Sequence, residues 1–413
     1  MPEATRGTVW YISKYLAPPA PKSVGSRGFY LMRELAEAGY TTTIFTSDAN
    51  HLATPPRVDG RYLRQNLSGV DVCWIRTLKY PTVRSVKRML SWLHFELGLL
   101  TLPLKRFPKP DVVVASSLSL TSVLTGILLS RRYGARFVFE VRDIWPLTLT
   151  EEGGFSAKHP LIKLMAWVER LGYTRADAIV GTMPNLEAHV REVSKSTKPV
   201  HCIPMGYDEQ PLEASGELPP AYIDAKVPAN KFLVGYAGSV GTTNALETLF
   251  ECAESMREDD SIHFVIVGSG DLLDDFIGRY GNLPNTTFVG SVPRESVQAV
   301  LAEFDVLYLS ALPSKVWEFG QSLNKVIDYM LAGKPVIASY SGYPSMLNEA
   351  GGGVFVPAAD AQALAQEVQR FAQLSDEQRL EMGERGRNWM IENRNYQHLA
   401  DLYDSILFPL PGD

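Results

Sequence analysis

Cysteine is scarce in this chain: Cys73, Cys202 and Cys252 are widely spaced and odd in number among 413 residues. That excludes a disulfide framework and any Cys-x-x-Cys metal site, and it fits a reducing cytoplasm. Histidines stand at 51, 94, 159, 189, 201, 263 and 398, with no metal-ligand spacing among them. Asp-x-Asp is missing from every strand-end loop, so a catalytic metal finds no support. Gly-x-Ser-x-Gly is absent too, and no nucleophile–base–orienter set can be read. No run reaches the roughly 18 uncharged apolar residues that a membrane-spanning helix needs. Met1–Gly7 leads into strand-like residues with no apolar signal segment. A net charge of −6 argues against general nucleic-acid binding, although local basic patches stay open.

What is present is a long alternation of strand-like and helix-like runs. At 413 residues the chain exceeds one ordinary core, so two domains are expected. The alternation is that of α/β doubly wound parallel sheets. In the first half, Val9–Ile12 reads as strand, Ser26–Ala38 as helix closed by Gly39, and Thr42–Thr46 as strand. Further strands are expected at Asp71–Ile75, Asp111–Ala115, Arg136–Val141 and Ala178–Val180. The second half restarts at Phe232–Ala237, with a helix over Leu246–Met256 and a strand at His263–Val267. Thr287–Val289, Asp305–Leu309, Val336–Ala338 and Val354–Val356 complete it. Pro204–Asn230, rich in Pro, Gly and acidic residues, reads as a linker. Asp376–Leu407 reads as an amphipathic helical tail with Leu380, Met382, Trp389, Leu399, Leu402 and Ile406 as its apolar residues. Two Rossmann-like domains facing each other would hold a ligand cleft between their strand C-termini.

The most informative segment runs from Gly320 to Val336. A Gly-Ser-Asn loop feeds a short helix, with Asn324 or Ser322 as N-cap and Gly333 followed by Pro335 as the stop. Lys325 then sits in the first helical turn, where the macrodipole disfavours a cation. A lysine there makes sense if it reaches an anion on that same helix end. Asp328, three residues on, is placed to accept hydrogen bonds from sugar hydroxyls. Phosphate plus ribose points to a nucleotide.

Two glycine-bearing turns precede helices. The first, Ala17 to Gly28, offers Gly25 for close backbone approach and Arg27 for charge-assisted bonds to phosphate, against the plainer reading of a simple turn. The second is Gly238-Ser239-Val240-Gly241-Thr242-Thr243, and two such turns could clamp one diphosphate. Val267-Gly268-Ser269-Gly270-Asp271 lacks the third glycine of a dinucleotide fingerprint, having Leu273 there, so it reads as a tight turn. Glu140-Val141-Arg142-Asp143-Ile144-Trp145-Pro146 ends a buried-looking strand in charge, where ligands bind in doubly wound sheets. An Arg142–Asp143 structural pair or a cap is the alternative. Basic flanks from Arg84 to Lys109 enclose Trp92, Phe95, Leu99 and Leu100, which suits a helix lying in an anionic membrane surface. A domain helix with one buried apolar face is the competing reading.

With these strings together the chain resembles the retaining nucleotide-sugar glycosyltransferases of family 4, with two Rossmann domains in the GT-B arrangement. Glu140–Pro146, Tyr236–Gly241 and Ser322–Met330 carry the resemblance, nearest to the subgroup making bacterial capsule, O-antigen and exopolysaccharide. It implies an acceptor domain over 1–205, rejoined by a C-terminal helix over about 390–413, and a nucleotide-sugar domain over 206–389. Gly25, Arg27, Arg142, Gly238, Ser239, Gly241, Ser322, Asn324, Lys325 and Asp328 are then donor-binding candidates, with Asp143 and Lys325 catalytic. In the family's E-x7-E motif the second acid aligns with Asp328; the first falls on Gly320, with Glu318 two residues off register. The family's Arg and Lys diphosphate pair is replaced by Thr242, Thr243 and Asn244, which leaves Lys325 to supply the cation.

The resemblance implies transfer without metal or cofactor, from a UDP-sugar by preference, to a saccharide or lipid-linked acceptor. Such an enzyme is expected in the cytoplasm, peripheral on the inner face of the plasma membrane. Two rivals stand beside it. One is a nucleotide-sugar epimerase of the same architecture, which needs more acid–base groups than Asp143. The other is a non-catalytic nucleotide- or sugar-binding scaffold, favoured by the missing cation pair and the missing first acid.

Overall fold

A computed structural model describes residues 5–19, 25–50, 54–81, 85–117, 119–208 and 217–410. Lys22, Ser23 and Val24 of the first turn, Arg84 of the basic flank and linker residues 209–216 lie outside the described residues. The chain divides into two compact units, one of residues 1–205 with 396–413 and one of residues 206–395. The return to the first unit therefore falls at Tyr396. Asn395 still belongs to the second unit, where it bridges Tyr207.

Among its described residues the first unit holds an eight-stranded sheet. The strands are β1 (Thr8–Ile12), β2 (Thr41–Ser47), β3 (Tyr62–Leu67), β4 (Val70–Ile75), β5 (Val112–Ser116), β6 (Arg136–Val141), β7 (Ala178–Gly181) and β8 (Val200–Cys202). Their order is β3-β4-β2-β1-β5-β6-β7-β8, parallel except where β3 runs against β4. Side chains alternate across β1: Val9 and Tyr11 face a core with Phe29, Leu35, Leu399 and Tyr403, while Trp10 and Ile12 face Phe95, Leu99 and Leu129. Both faces are therefore covered, which is why these strands read as continuous apolar runs. The two edge strands, β3 and β8, were not expected. In β3 polar Arg64, Gln65 and Asn66 break the apolar pattern, and β8 is only three residues long.

The second unit holds a six-stranded parallel sheet among its described residues. Its strands are β9 (Phe232–Ala237), β10 (Ile262–Val267), β11 (Thr286–Gly290), β12 (Val306–Ser310), β13 (Val336–Ser339) and β14 (Gly353–Val356), in the order β11-β10-β9-β12-β13-β14. The fold is α/β, with two Rossmann-like halves. Strand order reverses between β1 and β5 in one sheet and between β9 and β12 in the other, and a doubly wound sheet places its ligand loops there.

Three expectations need correction. The tail is two helices, Asp376–Arg394 and Tyr396–Leu407, broken at the extended Asn395. Leu380 and Leu402 are exposed, whereas Leu399 and Ile406 pack against the first sheet. The supposed linker contains a short helix, Pro220–Asp224, whose Tyr222 is buried beside Phe304. In the helix Val86–Leu100, Trp92, Phe95 and Leu99 are buried, so the residues proposed for a membrane belong to the core. Packing of this kind is worth about 1.5–3 kcal/mol for each large apolar side chain, more than a marginal surface contact returns.

Candidate functional site

The helix Asn324–Leu331 begins at the switch point of the second sheet. Gly333 stops it in the left-handed conformation at φ +65°, and β13 starts three residues later. Its cap differs from expectation. Leu323 occupies the N-cap position and no side chain caps the helix, so Asn324 is a first-turn residue and Ser322 lies before it. The leading N–H groups of a helix have no intrahelical acceptors, and the Leu323 side chain offers none in their place.

Lys325 projects from that turn against the glycine turn after β9. Its Nζ donates to Tyr236 Oη at 2.9 Å and to Asn244 Oδ1 at 2.5 Å, and lies 4.5 Å from the centre of the Tyr236 ring. A Cβ placed on Gly238 would stand 3.1 Å from Lys325 Cε and 3.2 Å from its Nζ. Gly238 thus leaves room for the ammonium group. Burial lowers the lysine from its ordinary value to about 8. Both hydrogen-bond acceptors are neutral, since burial holds the Tyr236 phenol well above its usual range. The cation is desolvated without being neutralised.

Backbone packing fixes this turn. Gly238 N–H donates to Val267 O at 2.9 Å and Val240 N–H to Ser269 O at 2.9 Å. A Cβ on Gly268 would fall 1.8 Å from Gly238 O, and one on Gly270 would fall 2.1 Å from Val240 O. Gly268 and Gly270 therefore serve close backbone approach between two turns. Gly241 is buried beside Asp271, and Ser239 is exposed. Tyr236 Oη donates to Ser239 O at 2.6 Å, and Tyr329 Oη donates to Ala237 O at 3.0 Å. Tyr236, Asn244 and Tyr329 were not singled out from sequence. A tyrosine at the strand end before a glycine turn, and an asparagine where the family has a base, were the available signals.

Asp328 lies on the same helix, and Arg294 grips its carboxylate in a fork, Nη1 to Oδ2 at 2.7 Å and Nη2 to Oδ1 at 2.6 Å. A carboxylate has about four lone-pair positions, so capacity for hydroxyl donors remains. Gly320 explains the missing first acid. Its φ of +97° is a conformation in which L side chains are strained, and Glu318 is exposed on the preceding 3-10 turn, Lys315–Phe319.

In the first unit the predicted residues separate. Arg27 is fully buried, donating from Nη1 to Glu140 Oε2 at 2.6 Å and from Nε to Pro204 O at 3.0 Å. Tyr11 Oη donates to Glu140 Oε1 at 2.5 Å, and Tyr403 Oη reaches Oε2 at 3.3 Å. Burial by itself raises the Glu140 carboxyl, but Arg27 and then Arg142 outweigh it, and the net shift is downward. Arg27 is therefore a core ion-pair partner here, not a phosphate ligand. Gly25 is also committed internally: its N–H donates to Tyr30 Oη at 3.0 Å, and a Cβ would meet Pro19 and Tyr30 at 2.9 Å.

Arg142 is half-buried, with Nη2 3.5 Å from Met205 Sδ and its N–H donating to Ser117 Oγ at 2.9 Å. Asp143 is exposed after β6, and among the described residues its carboxylate has no partner. No Arg142–Asp143 ion pair forms among them. Groups of three or more metal-type ligands are likewise absent among the described residues.

Two Rossmann-like units, the second with a cation at the glycine turn of its switch point, form an architecture suited to an anionic ligand. Residues 26–206 match the family described as Glycosyl transferase 4-like domain, and residues 231–373 match Glycosyl transferases group 1. The chain belongs to the glycosyltransferases of the GT-B fold. No curated protein is detectably similar in sequence. Among solved structures it is similar to sucrose-phosphate synthase from Thermosynechococcus elongatus, at 21% identity and TM-score 0.72 over 97% of this chain and 98% of that one. The trehalose-6-phosphate structure from E. coli bound with UDP-2-fluoro glucose aligns at 13% identity and TM-score 0.73, over 98% and 99%. Anabaena HepE in complex with UDP and glucose aligns at 14% identity and TM-score 0.64, over 98% and 100%. At such identities the likeness is one of fold. None of these matches singles out the subgroup that builds surface polysaccharides.

Proposed function

We propose that the chain is a retaining, metal-independent glycosyltransferase that moves a sugar from a UDP-sugar to a lipid-linked saccharide in bacterial surface polysaccharide synthesis. One observation carries the reading: the half-buried Lys325 ammonium has only neutral partners beside the Gly238–Ser239 turn. As the glycosidic bond breaks, negative charge develops on the leaving diphosphate. Lys325, the uncapped start of the Asn324–Leu331 helix and the Ser239 N–H are suited to receive it. Asp328 takes ribose hydroxyls, with Arg294 holding its carboxylate in position. Asp143 is assigned to the acceptor, orienting its hydroxyl or accepting its proton. No protein nucleophile is required if the leaving phosphate takes that proton on the same face. The UDP and UDP-2-fluoro glucose bound by the Anabaena and E. coli proteins support a uridine donor. A lipid-linked acceptor implies work at the inner face of a membrane, by a chain in which no helix among the described residues is long and apolar enough to cross one.

A thermal-shift screen of nucleoside diphosphates and their sugars tests this, because a ligand that binds the folded state raises its stability by mass action. UDP is expected to stabilise the wild type and to lose most of that effect in Lys325→Ala. Equal stabilisation of both proteins would contradict the assigned role. Incubating a UDP-sugar without acceptor and finding an isomerised sugar would favour an epimerase instead.

A further inference from the structure

One buried side chain of the second unit has no polar partner. Gln321 is 4% exposed, and neither its Oε1 nor its Nε2 makes a hydrogen bond among the described residues. No other described side chain leaves two polar atoms in that condition. An amide carries two donors and an acceptor oxygen, and a buried group left unmet costs stability that an apolar side chain of the same size would not. An amide at such a position calls for a partner that the fold itself does not contain. Its place in the chain says what that partner is. Gln321 stands between Gly320 and the start of the Asn324–Leu331 helix, on the loop that leaves β12 at the switch point. A second unmet group lies on the same loop: Trp317 is half-buried, and its Nε1–H is closed from water with no acceptor. The loop is firmly held. Trp317 O accepts from Tyr343 N–H at 2.8 Å and from Tyr340 Oη at 3.0 Å, which ties it to the loop after β13.

The order of groups along this segment parallels the order of groups in a nucleotide sugar. In the donor reading Asp328 takes the ribose, and Lys325, nearer the helix start, meets the diphosphate. Gln321 comes earlier still in the chain, within about 14 Å of Lys325 even if the backbone between them were extended. A ligand laid in that direction brings past Lys325 the one part not yet accounted for, the hexose. Neighbouring hydroxyls both donate and accept, so one can donate to Oε1 while the next accepts from Nε2, with another accepting from the Trp317 indole. Both protein groups are neutral, which suits the hydroxyls of an uncharged sugar. The amide atoms are shut from water, so Gln321 reaches the sugar by turning about its own side-chain bonds, and that turn breaks no hydrogen bond. A site whose buried polar groups depend on substrate hydroxyls rejects an analogue that cannot meet them.

We propose that Gln321 is the specificity-determining residue for the donor sugar, its amide pairing with two neighbouring hydroxyls of an uncharged hexose while the Trp317 indole takes another. The inference rests on the UDP-sugar reading and assigns the part of the donor that Lys325 and Asp328 leave unread. The test is calorimetric titration of the full chain, without acceptor, with UDP and with UDP-glucose, UDP-galactose and UDP-N-acetylglucosamine. The sugar nucleotide that the wild type binds best should bind Gln321→Met about tenfold or more weakly, whereas UDP should bind the two proteins equally. Trp317→Phe should weaken the same sugar nucleotide by roughly threefold, again with UDP unaffected. Methionine is close to glutamine in shape and brings no unmet polar group, so Gln321→Met should melt at or above the wild-type temperature. A lower melting temperature would show that the amide has a partner inside the fold, and would overturn the proposal. Equal weakening of UDP and the sugar nucleotide would show that the amide reads the nucleoside, and overturns it too. So does unchanged affinity for all four ligands, a result that removes this inference alone. A wild type that binds none of the four would instead remove the nucleotide reading, and this inference with it.

Discussion

Arg27 and Lys325 are both cations at the start of a helix, one in each unit, the first fully buried and the second half-buried. Their surroundings differ. Arg27 meets Glu140 at 2.6 Å inside a cluster with Tyr11 and Tyr403, so its charge is cancelled within the protein. Lys325 meets a phenol, an amide oxygen and a ring face, none of which cancels it. In the first arrangement the charge is balanced without a ligand, although the buried Nη2 of Arg27 makes no hydrogen bond among the described residues. The second is complete only when an anion arrives, and that contrast separates a cation that holds a fold from one that serves a site.

The largest effect expected is structural. Arg27→Ala leaves the Glu140 carboxylate buried without its partner, which should cost about 3–5 kcal/mol of stability in a denaturant titration. A loss below about 1 kcal/mol, the range of an exposed ion pair, would place Arg27 with Lys325 after all. Lys325→Ala should behave in the opposite way. Its melting temperature should hold or rise, while kcat/KM for transfer falls by on the order of 10²–10³. A variant that unfolds, or one that transfers normally, would erase the contrast.

The pH dependence sharpens the comparison and has a definite sign. Lys325 titrates near 8 in the folded protein, below its ordinary value of 10.5. Below about pH 8 it is charged in both folded and unfolded chains, and the burial penalty is fully present. Between about 8 and 10.5 the unfolded chain binds more protons, so stability contributed by this group rises with pH. Affinity for a diphosphate should move the other way, weakening as the lysine loses its proton above about pH 8. Parallel pH profiles for wild type and Lys325→Met would contradict both statements.

Much of this was legible in the sequence because local signals agreed. Gly333 with Pro335 fixed the end of the Asn324–Leu331 helix, and the apolar runs of β1, β5 and β6 marked a sheet covered on both faces. The failures have physical causes. Edge strand β3 is polar because one of its sides lacks a neighbour. The fate of Arg27 depended on Glu140, 113 residues away, and no local pattern carries such a pairing. Asn324 looked like a cap by composition, yet Leu323 takes the cap position because the helix begins one residue earlier than a cap at Asn324 would place it. Asp328 was found, whereas Arg294, which holds it, comes from a separate 3-10 turn, Arg294–Ser296.

Smaller effects test the supporting residues. Asp328→Ala should raise the donor KM by about tenfold, the loss of one or two hydrogen bonds to a charged group, with kcat less affected. Arg294→Ala should reproduce part of that rise, because it removes the group that orients the carboxylate. Smallest of all, Gly320→Ala should cost about 1–2 kcal/mol through its positive φ. Stability equal to wild type would mean that the backbone does not exclude a side chain at the position of the missing acid.

The most direct measurement is calorimetric titration of UDP into wild type and Lys325→Met at pH 8.5, repeated in buffers of different ionisation enthalpy. A bound diphosphate should restore the proton to Lys325, so wild-type binding takes up a fraction of a proton and Lys325→Met binds more weakly with no uptake from this group. Equal affinity and equal proton uptake in the two proteins would show that Lys325 is not the cation that meets the diphosphate.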